Sequence, residues 1–253
     1  MSDRNSIDET MSVDITGVRV ESFTEATLIQ RVLAMSAGES TQVAVGVNAH
    51  VCNLARTDDR FRRLLSSSVA YADGQSVVWA AKLLGGDLPE RLATTDVAEP
   101  LLRSAAAEGI PVYFFGAADG VAERAAAILR GRIPGLNLRT HHGYVSPAEM
   151  PAVLDDIADH GTRILFVGMG DPAQQFWVDD HREHLPPAVL TCGGLFDWLS
   201  GSNRRAPEWM IRAGLEWLWR LMIEPRRLAK RYLLGNPSFM AAVAAQRLRR
   251  SRA

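Results

Sequence analysis

Apolar residues in this chain fall into short continuous runs separated by longer stretches with helical spacing. The runs at residues 42–47 (QVAVGV), 68–72 (SVAYA), 111–115 (PVYFF), 164–167 (ILFV) and 188–191 (AVLT) have the character of strands buried on both faces. Weaker runs at 19–23 and 136–140 read as two more strands. Between them, apolar positions recur three and four apart over 24–37, 51–65, 77–84, 95–107, 121–129, 146–161 and 176–184, which predicts helices. Thr24 is placed to cap the first of these, with Glu25 in its first turn. Strands alternating with helices of this length predict an α/β fold: a Rossmann-like, doubly wound, mainly parallel sheet.

After Gly201 the pattern changes. Pro207 suits the first position of a helix. Glu208, Arg212, Glu216, Arg220 and Glu224 then recur every fourth residue as a narrow polar ladder. Most other residues over 209–223 are apolar, including Trp209, Trp217 and Trp219. Such a helix must bury most of its circumference in its own core, in a seam of a homo-oligomer, or at a membrane interface. Pro225 ends it, and a second helix sets Arg226, Arg227, Lys230 and Arg231 beside Leu228, Tyr232, Leu233 and Leu234. Aromatic residues and cations on apolar helices suit a lipid surface.

Charge sharpens this division. Residues 203–253 hold twelve Lys or Arg against three Asp or Glu, a balance of +9, whereas 1–202 carry −10. The chain therefore divides into a disordered tail at 1–12, an α/β domain at 13–202 and an amphipathic basic helical appendage at 203–253. The appendage is expected to meet an anionic partner, with packing on the acidic body as the alternative. Nucleic acid is not expected, because the tryptophans lie on an apolar helix instead of an open groove. Two cysteines, Cys52 and Cys192, form no disulfide framework and no metal-ligand spacing. The polar, acidic start lacks the features of a secretion signal, and no apolar stretch is long enough to span a bilayer. The expected location is cytoplasmic.

Candidate chemistry centres on residues 71–96, YADGQSVVWAAKLLGGDLPERLATTD. Asp73-Gly74 breaks the strand where ligands bind in open α/β sheets, beyond the carboxyl end. Asp73 is therefore either a general base with Arg91 nearby, or the cap of the helix that follows. Gly-rich turns at Gly116–Gly120, Gly168–Gly170 and Gly193-Gly194 would let backbone N–H groups approach a phosphate. The second of these, continued as Gly168-Met169-Gly170-Asp171-Pro172-Ala173, loosely fits a dinucleotide pattern and leaves an NAD-dependent oxidoreductase acting on sugar nucleotides as an alternative.

Together the motifs resemble the WecG/TagA/CpsF glycosyltransferases. The matching segments are Val47-Asn48-Ala49-His50, Ala72-Asp73-Gly74, Glu90-Arg91-Leu92 leading to Asp96, and Phe115-Gly116 with Gly120. They continue with His142-Gly143-Tyr144, Val167-Gly168-Met169-Gly170 with Pro172 and Gln174, and Gly193-Gly194-Leu195-Phe196-Asp197. Arg205-Ala206-Pro207-Glu208-Trp209, Gly214-Leu215-Glu216-Trp217-Leu218 and Glu224-Pro225-Arg226-Arg227 with Arg231-Tyr232 complete the set.

The resemblance implies inverting transfer of a sugar from a UDP-sugar to a polyprenyl-pyrophosphate-linked sugar, at the inner face of the plasma membrane, with no metal and no cofactor. It implies Asp73 as general base. Asn48, Arg91, Asp96, Gln174, Arg220, Arg227 and Arg231 are then expected to bind substrate, and Gly116, Gly168, Gly170, Gly193, Gly194 and Asp197 the nucleotide. The chain departs from the family pattern at Gly46, where Thr is usual, at Gln75-Ser76, and at Ala173 and Gln175, which replace a Lys and a Glu. A catalytically silent, membrane-recruited homologue is the alternative these departures raise.

Overall fold

A computed structural model of the chain describes residues 11–202, 207, 209–210, 216–223 and 225–252. It opens with an antiparallel hairpin, β1 (Ser12–Ile15) and β2 (Val18–Glu21), where the sequence pattern suggested a single strand at 19–23. Thr16 and Gly17 both take positive φ, +53° and +87°, the conformation of a two-residue hairpin turn whose twist matches the flanking strands. Val13, Ile15, Val18 and Val20 turn one face of the hairpin into the core.

Six further strands are β3 (Gln42–Val47), β4 (Val69–Ala72), β5 (Val112–Gly116), β6 (Leu138–His141), β7 (Ile164–Gly168) and β8 (Ala188–Thr191). They form one all-parallel sheet in the order β4–β3–β8–β7–β5–β6. Side chains alternate across it. Val43, Val45 and Val47 join one apolar cluster and Ala44 the other, as strand geometry requires when both faces are covered.

Helices clothe both faces. On one side lie α1 (Glu25–Ala37), α5 (Thr94–Ala107), α6 (Val121–Arg132) and α9 (Leu195–Leu199). On the other lie α2 (Ala49–Thr57), α3 (Asp59–Ser66), α4 (Gln75–Leu83), α7 (Met150–Asp159) and α8 (Ala173–Asp180). Thr24 caps α1 in a reciprocal pair with Thr27, as the sequence indicated. The single helix expected at 51–65 is two helices. Asp58 ends α2, and its carboxylate accepts Phe61 N–H at 2.9 Å to start α3. Helix α7 begins at Met150, later than expected, because Glu149 folds back to bond Ser146 N–H and hydroxyl in a preceding turn.

The C-terminal segment contains α10 (Glu216–Ile223), α11 (Pro225–Ala229), a π-helical turn (Lys230–Leu234) and α12 (Gly235–Arg250). Helix α12 packs against α2 and α4. Its Phe239 and Val243 are buried in the same cluster as Ile15 and Cys52. Gly235 O accepts from Asn53 Nδ2 at 2.8 Å, and Gln246 bonds Thr16 N–H at 2.7 Å and Asp14 O at 3.0 Å. Arg247 and Arg250 donate to Leu83 O and Leu84 O, which end α4. For these two cations the alternative named above holds, since they serve the protein's own body. Among the described residues no helix is long and apolar enough to cross a membrane.

Candidate active site

A cavity of about 420 Å³ opens at the carboxyl ends of β3, β4 and β8. The chain runs from β3 outward to β4 but reaches β8, on the other flank of β3, from β7, so the connections diverge here. That divergence leaves a crevice where α/β sheets bind ligands. Of the residues expected in the site, the fold brings together Asn48, Asp73, Arg91, Gln174, Gly193 and Gly194. Trp79, Tyr232, Asn236 and Met240 form part of the wall from α4 and the C-terminal segment.

Asp73 follows β4 directly, and its N–H donates to Val47 O at 3.0 Å, which extends the β3–β4 pairing by one residue. The next residue, Gly74, is the N-cap of α4 with no side-chain cap, so Asp73 does not cap the helix that follows it. Its Oδ1 instead accepts Thr94 N–H at 2.9 Å and the Thr94 hydroxyl at 3.2 Å. Asp73 thereby sits at the N-terminus of α5, where a carboxylate is favoured by the helix dipole. Oδ2 lies 3.5 Å from Asn48 Nδ2. The Asn48 amide is oriented by α2, because its Oδ1 caps that helix by accepting His50 N–H and Val51 N–H. Gly46 stands behind this group. A Cβ there would lie 2.9 Å from Asp73 Cβ and 3.2 Å from Thr94 Oγ1.

Arg91 borders the cavity and pairs with Asp96 at 2.9 Å, with the arginine side chain 18% and the aspartate 28% exposed. Asp96 does not line the cavity; its carboxylate orients the guanidinium. Gln174 Oε1 accepts Gly170 N–H at 3.3 Å and Gly193 N–H at 3.0 Å, and its Nε2 donates to Asp171 Oδ1 at 2.8 Å. Buried Gln175 also donates to Asp171, at 2.7 Å. Cys192 is on the cavity wall, and burial pushes its thiol well above the usual range; burial pushes Cys52 up to about 12. Neither thiol carries appreciable thiolate near neutral pH.

Gly116, Gly168, Gly170 and Asp197 do not line the cavity. The first two are glycines for packing. A Cβ on Gly116 would meet Gly168 O at 2.3 Å, and one on Gly168 would meet the Phe196 ring at 2.8 Å. Gly170 takes φ +80° in a turn whose N–H is held by Gln174. Close packing between strand ends is by itself enough to require glycine at Gly116 and Gly168. The side chains of Arg220, Arg227 and Arg231 lie outside the described residues. Thr94, Trp79, Asp171, Thr191 and Met240 line the cavity without having been singled out from sequence. Only the Thr94-Thr95 pair, beside Arg91 and opening a helix, carried a local signal.

The sequence model of the "Glycosyl transferase WecG/TagA/CpsF family" matches residues 13–253. The chain belongs to this family and is a glycosyltransferase. It is similar to N-acetylglucosaminyldiphosphoundecaprenol N-acetyl-beta-D-mannosaminyltransferase of Staphylococcus aureus strain NCTC 8325 / PS 47, with 29% identity over 239 residues covering 93% of each chain. The protein of the same name from strain MW2 also shares 29% identity over 93% of each chain. The departure at Gln175 now has a physical context. A carboxylate at that position would face Asp171 with like charge, whereas the amide donates to it.

Proposed function

We propose that this enzyme moves an N-acetylhexosamine from a UDP-sugar to a sugar carried on a polyprenyl diphosphate, with inversion and without a metal. The activity for which the staphylococcal relatives are named supports N-acetylmannosamine as the transferred sugar and an N-acetylglucosaminyl lipid as acceptor. The observation that carries the reading is Asp73. One carboxylate oxygen is held by Thr94, while the other faces the Asn48 amide in the cavity.

In this reading the acceptor hydroxyl attacks the anomeric carbon from the face opposite the nucleotide. Its proton passes to Asp73 Oδ2 as the new C–O bond forms. The bond between the anomeric carbon and the diphosphate oxygen breaks, and UDP leaves as an anion. Arg91, at the cavity edge, meets that charge, joined by Arg220, Arg227 and Arg231 of the appendage. Trp79 and Met240, both partly exposed at the cavity, offer an apolar flank to the first prenyl units of the acceptor. The basic appendage holds the enzyme at an anionic, cytoplasmic membrane surface.

The test is a UDP-release screen across UDP-sugars with a short-chain prenyl-diphosphate-N-acetylglucosamine acceptor. UDP-N-acetylmannosamine is expected to give the highest release. Absence of UDP release with every donor tried, or hydride transfer with a nicotinamide cofactor, overturns the reading.

A further inference from the structure

Tyr71, Thr94 and Asp73 form a hydrogen-bonded line that starts in the core and ends in the cavity. Tyr71, on β4, is 1% exposed, and its hydroxyl lies 2.7 Å from Thr94 Oγ1. Thr94 is 8% exposed. A threonine hydroxyl carries one proton. The Asp73 carboxylate can only accept, so Thr94 donates to it and Tyr71 must donate to Thr94. Burial raises the Tyr71 phenol far above its ordinary range, with the charge of Asp73 as the second cause. The donor at the inner end of the line therefore stays protonated at any working pH.

This line acts on one oxygen. Oδ1 of Asp73 takes both bonds from Thr94, the backbone N–H at 2.9 Å and the hydroxyl at 3.2 Å. Two converging donors from one residue fix the rotation of the carboxylate about its Cβ–Cγ bond. Oδ2 is then turned toward the Asn48 amide at 3.5 Å. The arrangement needs Gly46, because a Cβ at that position would press on Asp73 Cβ at 2.9 Å and Thr94 Oγ1 at 3.2 Å together. The hydroxyl on Asp73 is supplied from α5, and the space for it from β3.

We infer that Thr94, backed by Tyr71 and given room by Gly46, is the positioning residue that aims Asp73 Oδ2 at the acceptor hydroxyl. The inference rests on Asp73 being the base in the function proposed above. Thr94 touches no reacting atom in this scheme and works through the aspartate. Its contribution is therefore realised when the proton moves, and should appear in kcat with little change in KM.

The experiment measures UDP release by the full chain, with the donor identified in the screen above, for Thr94→Val, Thr94→Ser, Asp73→Asn and the Thr94→Val/Asp73→Asn double variant. Thr94→Val keeps the shape and the backbone N–H but removes the hydroxyl. It is expected to lower kcat by about tenfold, the scale of one hydrogen bond to a charged group. KM for the donor should stay within about twofold, and Thr94→Ser should recover most of the loss. In the Asp73→Asn background, Thr94→Val should cost nothing further, because the group it positions is gone. Gly46→Ala and Tyr71→Phe provide independent variants should Thr94→Val fail to fold, and both should lower kcat in preference to raising KM. If Asp73→Asn is impaired while Thr94→Val, Tyr71→Phe and Gly46→Ala all keep normal kcat, the positioning role is wrong and the base assignment stands. Equal losses from Thr94→Val in both backgrounds also overturn it. Full turnover in Asp73→Asn removes the base itself, and the positioning role with it.

Discussion

Gln174 Oε1 accepts the N–H of Gly193 at 3.0 Å, which joins the loop after β7 to the turn after β8. The same oxygen also takes Gly170 N–H, so one buried side chain sets two loops beside the cavity. Gln174→Met keeps the approximate length and leaves both N–H groups without that acceptor. The expected destabilisation is about 1–3 kcal/mol. For a chain of this size that is several degrees in Tm by thermal denaturation. UDP affinity measured by calorimetry should fall with it, because the Gly193 turn shapes the cavity.

Arg91 and Asp96 make a partly buried pair in which only the arginine borders the cavity. Arg91→Gln is expected to raise KM for the donor roughly tenfold or more, since hydrogen bonds to charged groups are worth about 1.5–3 kcal/mol. Asp96→Asn should raise it less, because the guanidinium keeps its charge and loses only an orienting partner. Steady-state kinetics on the two variants gives the order directly.

Phe239 is fully buried where α12 meets the hairpin and α2. Phe239→Ala should cost about 3–5 kcal/mol, the usual range for emptying such a site. Truncation ahead of residue 204 removes this side chain and Val243 together, and should leave a body that unfolds well below the temperature of the full chain. Denaturant titration of the variant and the truncated protein checks both.

Chelation should leave turnover unchanged. Among the described residues no three His, Cys, Asp or Glu side chains gather into a metal-binding group. The expected outcome is equal UDP release with and without EDTA, and loss restored by manganese would count against the proposed mechanism.

Arg227→Glu reverses a charge on α11. It should weaken binding to anionic liposomes, since each basic residue near such a surface contributes about 1 kcal/mol, and salt should reduce the difference. It should also lower turnover with a water-soluble acceptor if the side chain meets the diphosphate. Normal turnover with that acceptor assigns the residue to membrane anchoring alone.

The architecture was legible in the chain because strands covered on both faces must be apolar along their whole length. The runs at 42–47, 111–115 and 164–167 match β3, β5 and β7 to within a residue at either end. Asp73 was legible for a local reason too, since a polar residue and a glycine directly after a buried strand mark its carboxyl end. What surrounds Asp73 was not. Thr94 is 21 residues away along the chain, and nothing in either segment announces that α5 presents its N-terminus to β4. Nor does the sequence show that the strand ends at Gly116 and Gly168 pass so close that a Cβ on Gly116 would meet Gly168 O at 2.3 Å. The C-terminal helix shows the limit most plainly. Its basic residues and apolar stripe are equally suited to lipid or to protein, because the hydrophobic effect has no preferred direction. The bond from Asn53 to Gly235, spanning 182 residues, and the burial of Phe239 assign that stripe to the enzyme's own core.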